Sequence, residues 1–246
     1  MLRVENLSKQ FGGIHAVRDV DLQVEAEQLH AVIGPNGAGK TTLVAQLAGQ
    51  LQPDRGAIYF RGRNITKLRA HQRARLGLAR SFQITNIILP LTTLENAMLA
   101  ALPARGGHGF GFWSALADDD AARACAMNAL AEVGLESRAG DIAARLSHGE
   151  QRQLEVAMAL ALQPKLLLLD EPFAGLGAQE SAAMIQLLKR LKRAFTIVLI
   201  EHDMDAVFAL ADVVSVLVNG RIIAGGGIDA IRANADVQRA YLGESA

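Results

Sequence analysis

Ala31-Val32-Ile33-Gly34-Pro35-Asn36-Gly37-Ala38-Gly39-Lys40-Thr41-Thr42-Leu43-Val44-Ala45-Gln46-Leu47 is the stretch whose reading decides the fold. Ala31 to Ile33 form an apolar run that reads as a buried strand, and Leu43, Val44 and Leu47 recur at helical spacing just after Lys40. Between them, Gly34 to Thr41 complete the pattern G-x-x-x-x-G-K-[ST] in the strand-loop-helix setting that makes it a phosphate site.

That chemistry requires these residue types. A polyphosphate is wrapped by consecutive backbone N–H groups, and side chains on the loop would hold the backbone away, so Gly34, Gly37 and Gly39 keep it close. Lys40 supplies a compact positive charge for the β- and γ-phosphates. The positive end of the helix starting near Lys40 adds a fixed field, and the Thr41 hydroxyl is placed to ligate Mg²⁺. A glycine-rich turn that binds nothing would not need Gly34, Gly39, Lys40 and Thr41 together with the right flanks.

The rest of the chain sets bounds. At 246 residues it can bury a full core. Lys plus Arg and Asp plus Glu each number 25, so no net positive field exists to hold a nucleic-acid backbone. The single cysteine, Cys125, cannot form an intramolecular disulfide and reads as a small core residue among Ala124, Ala126 and Met127. Met1 to Leu7 are strand-like and lack the apolar region of a secretory signal. Apolar runs such as 166–169 and 213–218 fall far short of the ~20 residues a membrane-spanning helix needs. The expectation is a cytoplasmic protein that reaches a membrane only by docking on one.

Outward from the phosphate pattern, Leu2 to Val4 and Val20, Leu22 and Val24 alternate as half-buried strands, and Phe11 between them reads on composition as plain core. After the helix of residues 40–48 come a cap at Gly49, a turn at 53–56 and a strand at 57–60. Residues 69–80 read as helical, with Arg69, Arg73, Arg75 and Arg80 on a solvated face. Helical spacing returns at 94–102 and 121–133. The link 103–119 holds Phe110, Phe112 and Trp113, read as rings folded onto neighbouring helices. Ser147 with Glu150 forms a capping box at the start of a helix to about Leu162, and a capped helix start is also an anion site.

Leu166 to Leu169 form a strand buried on both faces that ends in Asp170-Glu171. Two acids there are costly unless they meet a cation or lie at the open end of a sheet. Their side chains leave the strand in different directions, so one suits a Mg²⁺ shell and the other an attacking water. A second strand, 196–200, ends in Glu201-His202-Asp203, with Asp203 as N-cap of a helix to Leu210 and His202 at the edge where phosphate and carboxylates converge. Residues 213–218 and 221–224 form a hairpin through Asn219-Gly220, and the tail reads as short helices.

The ordered set Phe11, Gly34 to Thr42, Gln83, Leu146 to Glu150, Leu169 to Pro172, Ala174 to Gly177 and His202 resembles the ATP-binding subunit of ABC transporters over essentially the whole chain. The resemblance implies an α/β fold: a P-loop NTPase core of ABC type with a mixed sheet, an N-terminal antiparallel β part and an inserted helical subdomain at about 84–162, all one nucleotide-binding domain of residues 1–246. It implies ATP and Mg²⁺ as ligands. Gly34, Pro35, Asn36, Gly37, Ala38, Gly39, Lys40, Thr41 and Thr42 would cradle the phosphates, and Phe11 would stack on adenine. Gln83 would touch Mg²⁺ together with Thr41 and Asp170, and would sense the membrane partner. Ser147, His148, Gly149 and Glu150 would bind the γ-phosphate of ATP held by a second copy or close paralogue. Glu171 would polarise the hydrolytic water, and His202 would contact the γ-phosphate.

The sequence departs from that family's usual LSGGQ signature at His148 and Glu150, and has Gly177 where many members carry Asp. Phe11-Gly12-Gly13, Ala174 to Leu176, Glu201 to Asp205 and Ala240 to Glu244 look most like importers of branched-chain amino acids. These dock on permeases at the inner face of the membrane and take solute from a binding protein. Urea, amide or lipid-related transport, and a soluble non-transport ATPase, are the alternatives. A kinase or GTPase would have no use for the helix start at 147–150.

Overall fold

The computed structural model describes residues 1–80, 87–101 and 119–242. Gln83 and almost all of the aromatic link at 103–119 lie outside those residues.

The phosphate pattern joins β3 (Leu29–Ile33) to α1 (Lys40–Leu47). β3 lies inside a six-stranded sheet of order β10-β9-β3-β8-β7-β6, with β6 Leu78–Arg80, β7 Leu166–Asp170, β8 Thr196–Ile200, β9 Val213–Val218 and β10 Arg221–Gly226. The sheet is mixed: β10 runs antiparallel to β9, and the other neighbours are parallel. A separate antiparallel sheet has the order β2-β1-β4-β5, from β1 (Leu2–Phe11), β2 (Ile14–Val24), β4 (Arg55–Phe60) and β5 (Arg63–Asn64).

The uninterrupted apolar runs of β3, β7 and β8 follow from cover on both faces. Ala31, Leu167, Leu169, Ile197 and Leu199 pack into one core with the helices α3 (Thr93–Ala101), α4 (Asp120–Val133) and α5 (His148–Leu160). Val32, Leu166, Leu168, Val198 and Ile200 face a second core, filled by Leu43, Val44 and Leu47 of α1 and by Val4, Val20 and Ile58 of the antiparallel sheet. α1 is thereby pinned between two sheets. The segment between β6 and β7 carries α3, α4 and α5, although the two strands lie side by side.

Parallel registry brings three strand ends level. Ala31 pairs with Leu199, and Asp170 pairs with Ile200, so the carboxyl ends of β3, β8 and β7 open at one edge. The helices α6 (Ala178–Leu191) and α7 (Met204–Leu210) start just beyond that edge, α7 behind Asp203, whose Oδ1 accepts the N–H groups of Asp205 and Ala206. α8 (Ile228–Arg232) and α9 (Ala235–Leu242) close the chain.

Two expectations are corrected. Residues 69–80 are not one solvated helix: α2 spans only Ala70–Arg75, Gly77 turns at φ 97°, and β6 follows as a buried strand. Arg73 is fully buried, giving hydrogen bonds to the carbonyls of Gln46, Leu47, Thr66 and Leu68, so it neutralises the carbonyl end of α1. Phe11 is not core. It sits at the tip of the β1–β2 hairpin with half its surface exposed, beside the still more exposed Ile14. Cys125 is only partly buried and accepts a hydrogen bond from Gln163.

Candidate active site

The loop from Gly34 to Gly39 is shaped by two close approaches. A Cβ on Gly34 would lie 2.0 Å from the Leu217 carbonyl oxygen, and one on Gly39 would lie 2.0 Å from that of Ala16. Gly39 has φ 103°, in the left-handed region that favours glycine. The loop thus rests directly on β2 and the β9 end, and Gly220 N–H donates to the Ala38 carbonyl at 2.9 Å. α1 begins with no side-chain cap and no acid in its first turn. Thr41 and Thr42 therefore present N–H groups with no acceptor inside the helix, which suits an anion. Lys40 is nearly buried, and its Nζ folds onto the Gly34 and Pro35 carbonyls at 2.5 and 3.0 Å.

Asp170 closes β7 with its side chain wholly buried. Arg80 Nη2 donates to its Oδ2 at 2.7 Å, while Oδ1 has no hydrogen-bond partner among the described residues. Burial pushes the carboxyl above its ordinary range despite the pull of Arg80, and Glu171 pushes the same way, with Lys40 close enough to oppose it. A buried carboxylate oxygen without a donor, next to the lysine of the phosphate loop, fits a cation. No group of three or more His, Cys, Asp and Glu side chains among the described residues could hold a metal ion. The donor set is the one suited to Mg²⁺ held by few protein oxygens and by phosphate.

Glu171 follows the strand at φ 50°, an uncommon conformation for this residue type, fixed by its N–H donating to the Ile200 carbonyl at 2.9 Å. Its Oε1 lies 3.9 Å from His202 Nδ1. Glu201 is completely buried and accepts N–H groups from Phe173, His202 and Asp203, so it ties the turn after β8 to the loop after β7. Burial raises its carboxyl above the usual range, against those three bonds.

The capping box stands at the start of α5. Ser147 Oγ accepts the Glu150 N–H at 3.2 Å, and Glu150 Oε2 accepts the Ser147 N–H at 2.8 Å. Glu150 Oε1 also takes a hydrogen bond from Arg138 at 2.8 Å, so the acid at this unusual position is turned back and neutralised. The His148 ring covers Gly175, and Gly149 N–H donates to Glu180.

The structure therefore gathers Lys40, Asp170, Glu171 and His202 at one sheet edge. Phe11 stands apart on its hairpin, 5.6 Å from Lys9 Nζ. The contacts of residues 147–150 run to Arg138, Glu180 and Gly175. Sequence reading missed Arg80, Arg138, Glu180 and Glu201. Only Glu201, at the end of a buried strand as Asp170 is, carried a visible signal.

A glycine loop on a helix start, paired with acids at the end of a buried strand and a separate capped helix, defines an ATP-binding cassette. The family model described as ABC transporter matches residues 17–174, and the chain belongs to that family. The high-affinity branched-chain amino acid transport ATP-binding protein LivG of Salmonella typhimurium is 37% identical over 100% of this chain and 98% of its own length. A solved cassette of an ABC transporter in its ADP conformation superposes with TM-score 0.87 at 30% identity, covering 99% of this chain and 98% of that one. A dimeric cassette in a post-hydrolysis state bound to ADP and Pi gives 0.77 at 25% identity, over 93% of this chain and 99% of that one.

Proposed function

We propose that the chain is the ATP-hydrolysing subunit of an importer for branched-chain amino acids, acting as an ATP-sandwich dimer docked on membrane permeases at the inner face of the membrane. The observation that carries the reading is the convergence of Lys40, Asp170, Glu171 and His202 at the level ends of β3, β7 and β8. The named relatives supply the solute class.

In this reading the backbone of Gly34 to Thr42 wraps the phosphates and Lys40 exchanges the Gly34 and Pro35 carbonyls for β- and γ-phosphate oxygens. Asp170 and Thr41 would hold Mg²⁺, with Gln83 as a further contact. Bound Mg²⁺ would neutralise charge on the phosphate oxygens. Glu171 takes a proton from the attacking water, and His202 donates toward the γ-phosphate. Ser147 to Glu150 of a second cassette complete the site, and Phe11 stacks on adenine. Partial burial of Glu171 suits a base that must meet water. An apolar hollow of about 410 Å³, lined by Leu78, Ile88, Leu99, Met158 and Leu162, supports docking of a permease segment beside β6. No helix among the described residues is long and apolar enough to cross a membrane.

The test is to purify the tagged chain from its native membrane in mild detergent and assay the complex. Recovery of multi-span permeases, with ATPase stimulated by leucine-type amino acids and a binding protein, is expected. Recovery of urea-stimulated activity would replace the solute, and ribosomes or nucleic-acid enzymes without a membrane partner would overturn transport.

A further inference from the structure

Glu180 links the two loops in which this chain departs from the usual cassette pattern. It lies in the first turn of α6, and its Oε2 accepts the N–H of Gly177, the N-cap of that helix, at 3.1 Å. Its Oε1 reaches across to the N–H of Gly149, at the start of α5, at 2.9 Å. These two backbone bonds hold the carboxyl below the ordinary glutamate range, with His148 adding to the effect. The fit is close: a Cβ on Gly149 would stand 2.8 Å from Glu180 Oε1, and one on Gly175 would stand 2.9 Å from the His148 ring.

The consequence concerns the anion site at the start of α5. The Glu150 N–H is bonded to Ser147 Oγ, the Ser147 N–H to Glu150, and the Gly149 N–H to Glu180. Two carboxylates thus stand where a γ-phosphate from the second cassette has to arrive. Arg138, which also pairs with Asp141, offsets part of the Glu150 charge. Glu180 has no ion-pair partner among the described residues, and only the two N–H groups and the neighbouring His148 offset its charge.

We infer that Glu180 is a displaceable internal anion: in the separate subunit it occupies the Gly149 N–H, and closure of the ATP sandwich requires the γ-phosphate to take that N–H from it. This rests on the reading of Ser147 to Glu150 as the contact for the second cassette's ATP. On release, Oε1 leaves Gly149 while Oε2 keeps the Gly177 N–H, so the α6 cap survives, and the loop 174–177 stays tied to α5 by Arg152, which donates to the Ala174 carbonyl at 3.4 Å. Two anions cannot share one N–H donor, and a charge-assisted bond is stronger than a neutral one, so the carboxylate sets a threshold for closure.

The experiment uses the full chain carrying Glu171→Gln, which should accumulate the ATP-loaded dimer, with Glu180→Gln or Glu180→Ala added. Dimer fraction is followed by sedimentation velocity across an ATP titration, and nucleotide binding by the separate subunit is measured with a fluorescent ATP analogue. Both Glu180 variants should dimerise at an ATP concentration about tenfold lower, a shift matching the loss of one charge-assisted hydrogen bond. Nucleotide affinity of the separate subunit should be unchanged, and Gly149 amide exchange should be faster. Glu180→Gln retains an acceptor oxygen for the α6 cap, so it covers the case in which Glu180→Ala fails to fold. An unchanged or higher ATP requirement in a folded Glu180→Gln variant would overturn the displacement and leave the sandwich reading standing. If the Glu171→Gln parent itself binds ATP but never dimerises, the sandwich reading falls, and the displacement with it.

Discussion

Arg80 Nη2 meets Asp170 Oδ2 at 2.7 Å in a pair whose side chains are 9% and 0% exposed. Arg80 also donates to Gln50. The last residue of β6 thus fixes one oxygen of the acid that ends β7 and leaves the other for a cation.

Replacing Arg80 by Met should cost about 3 kcal/mol of unfolding free energy, because it strands a buried carboxylate. Burial already pushes Asp170 upward, and with Arg80 gone only Lys40 among the described residues opposes it. Urea unfolding at pH 7 checks the magnitude, and the double variant with Asp170→Asn should recover most of the loss. An equal loss in the double variant would mean that Arg80 acts through packing alone.

Glu171→Gln should keep ATP binding and lower turnover at least about 100-fold, since general-base catalysis contributes that much and the amide keeps the shape. Steady-state hydrolysis beside equilibrium nucleotide binding separates the two effects. Turnover close to that of the parent chain would move the base to another group.

Arg73 tests a different link, from a buried cation to the position of the phosphate helix. Its guanidinium spends its donors on four carbonyls, two of them at the end of α1, and burial lowers its pKa to about 10, so it stays charged at neutral pH. Arg73→Met should cost about 3–5 kcal/mol by leaving those carbonyls buried without donors. Arg73→Lys should recover only part, because an ammonium cannot reach four acceptors in a fork. Thermal unfolding of the three proteins gives the ranking, and a neutral Arg73→Met would show that water replaces the guanidinium.

What the sequence made legible is local. The phosphate pattern carries its strand, loop and helix within one short stretch, Ser147 and Glu150 cap each other three residues apart, and Asn219-Gly220 takes the paired positive φ of its hairpin, 47° and 77°. The strands β3, β7 and β8 are legible because cover on both faces demands unbroken apolar runs. Arg73 and Arg80 were not, because their partners come from far along the chain: Gln46 is 27 residues away and Asp170 is 90. A run of arginines looks solvated until another segment brings the acceptors. Glu180 is hidden in the same way, 31 residues from Gly149. Phe11 misled by type, since an aromatic ring at a hairpin tip stays half exposed, with Lys9 Nζ over one face.

His30 provides the pH test. It is buried in β3, with Nε2 at 2.8 Å from Ser215 Oγ, and burial lowers its pKa to about 4. Between about pH 6.5 and 4 the unfolded chain takes up a proton that the folded chain refuses, so this group makes stability fall as pH falls through that window. The loss should reach about 2–3 kcal/mol by pH 4.5. His30→Gln removes the titration, and its amide can still meet Ser215. Denaturant unfolding of both proteins at pH 7 and pH 4.5 isolates the contribution, because every other acid-titrating group is common to the pair. The variant should lose less stability than the parent over that interval by about the stated amount. Parallel losses would mean that the folded protein admits the proton, by opening the β3–β9 edge around Ser215.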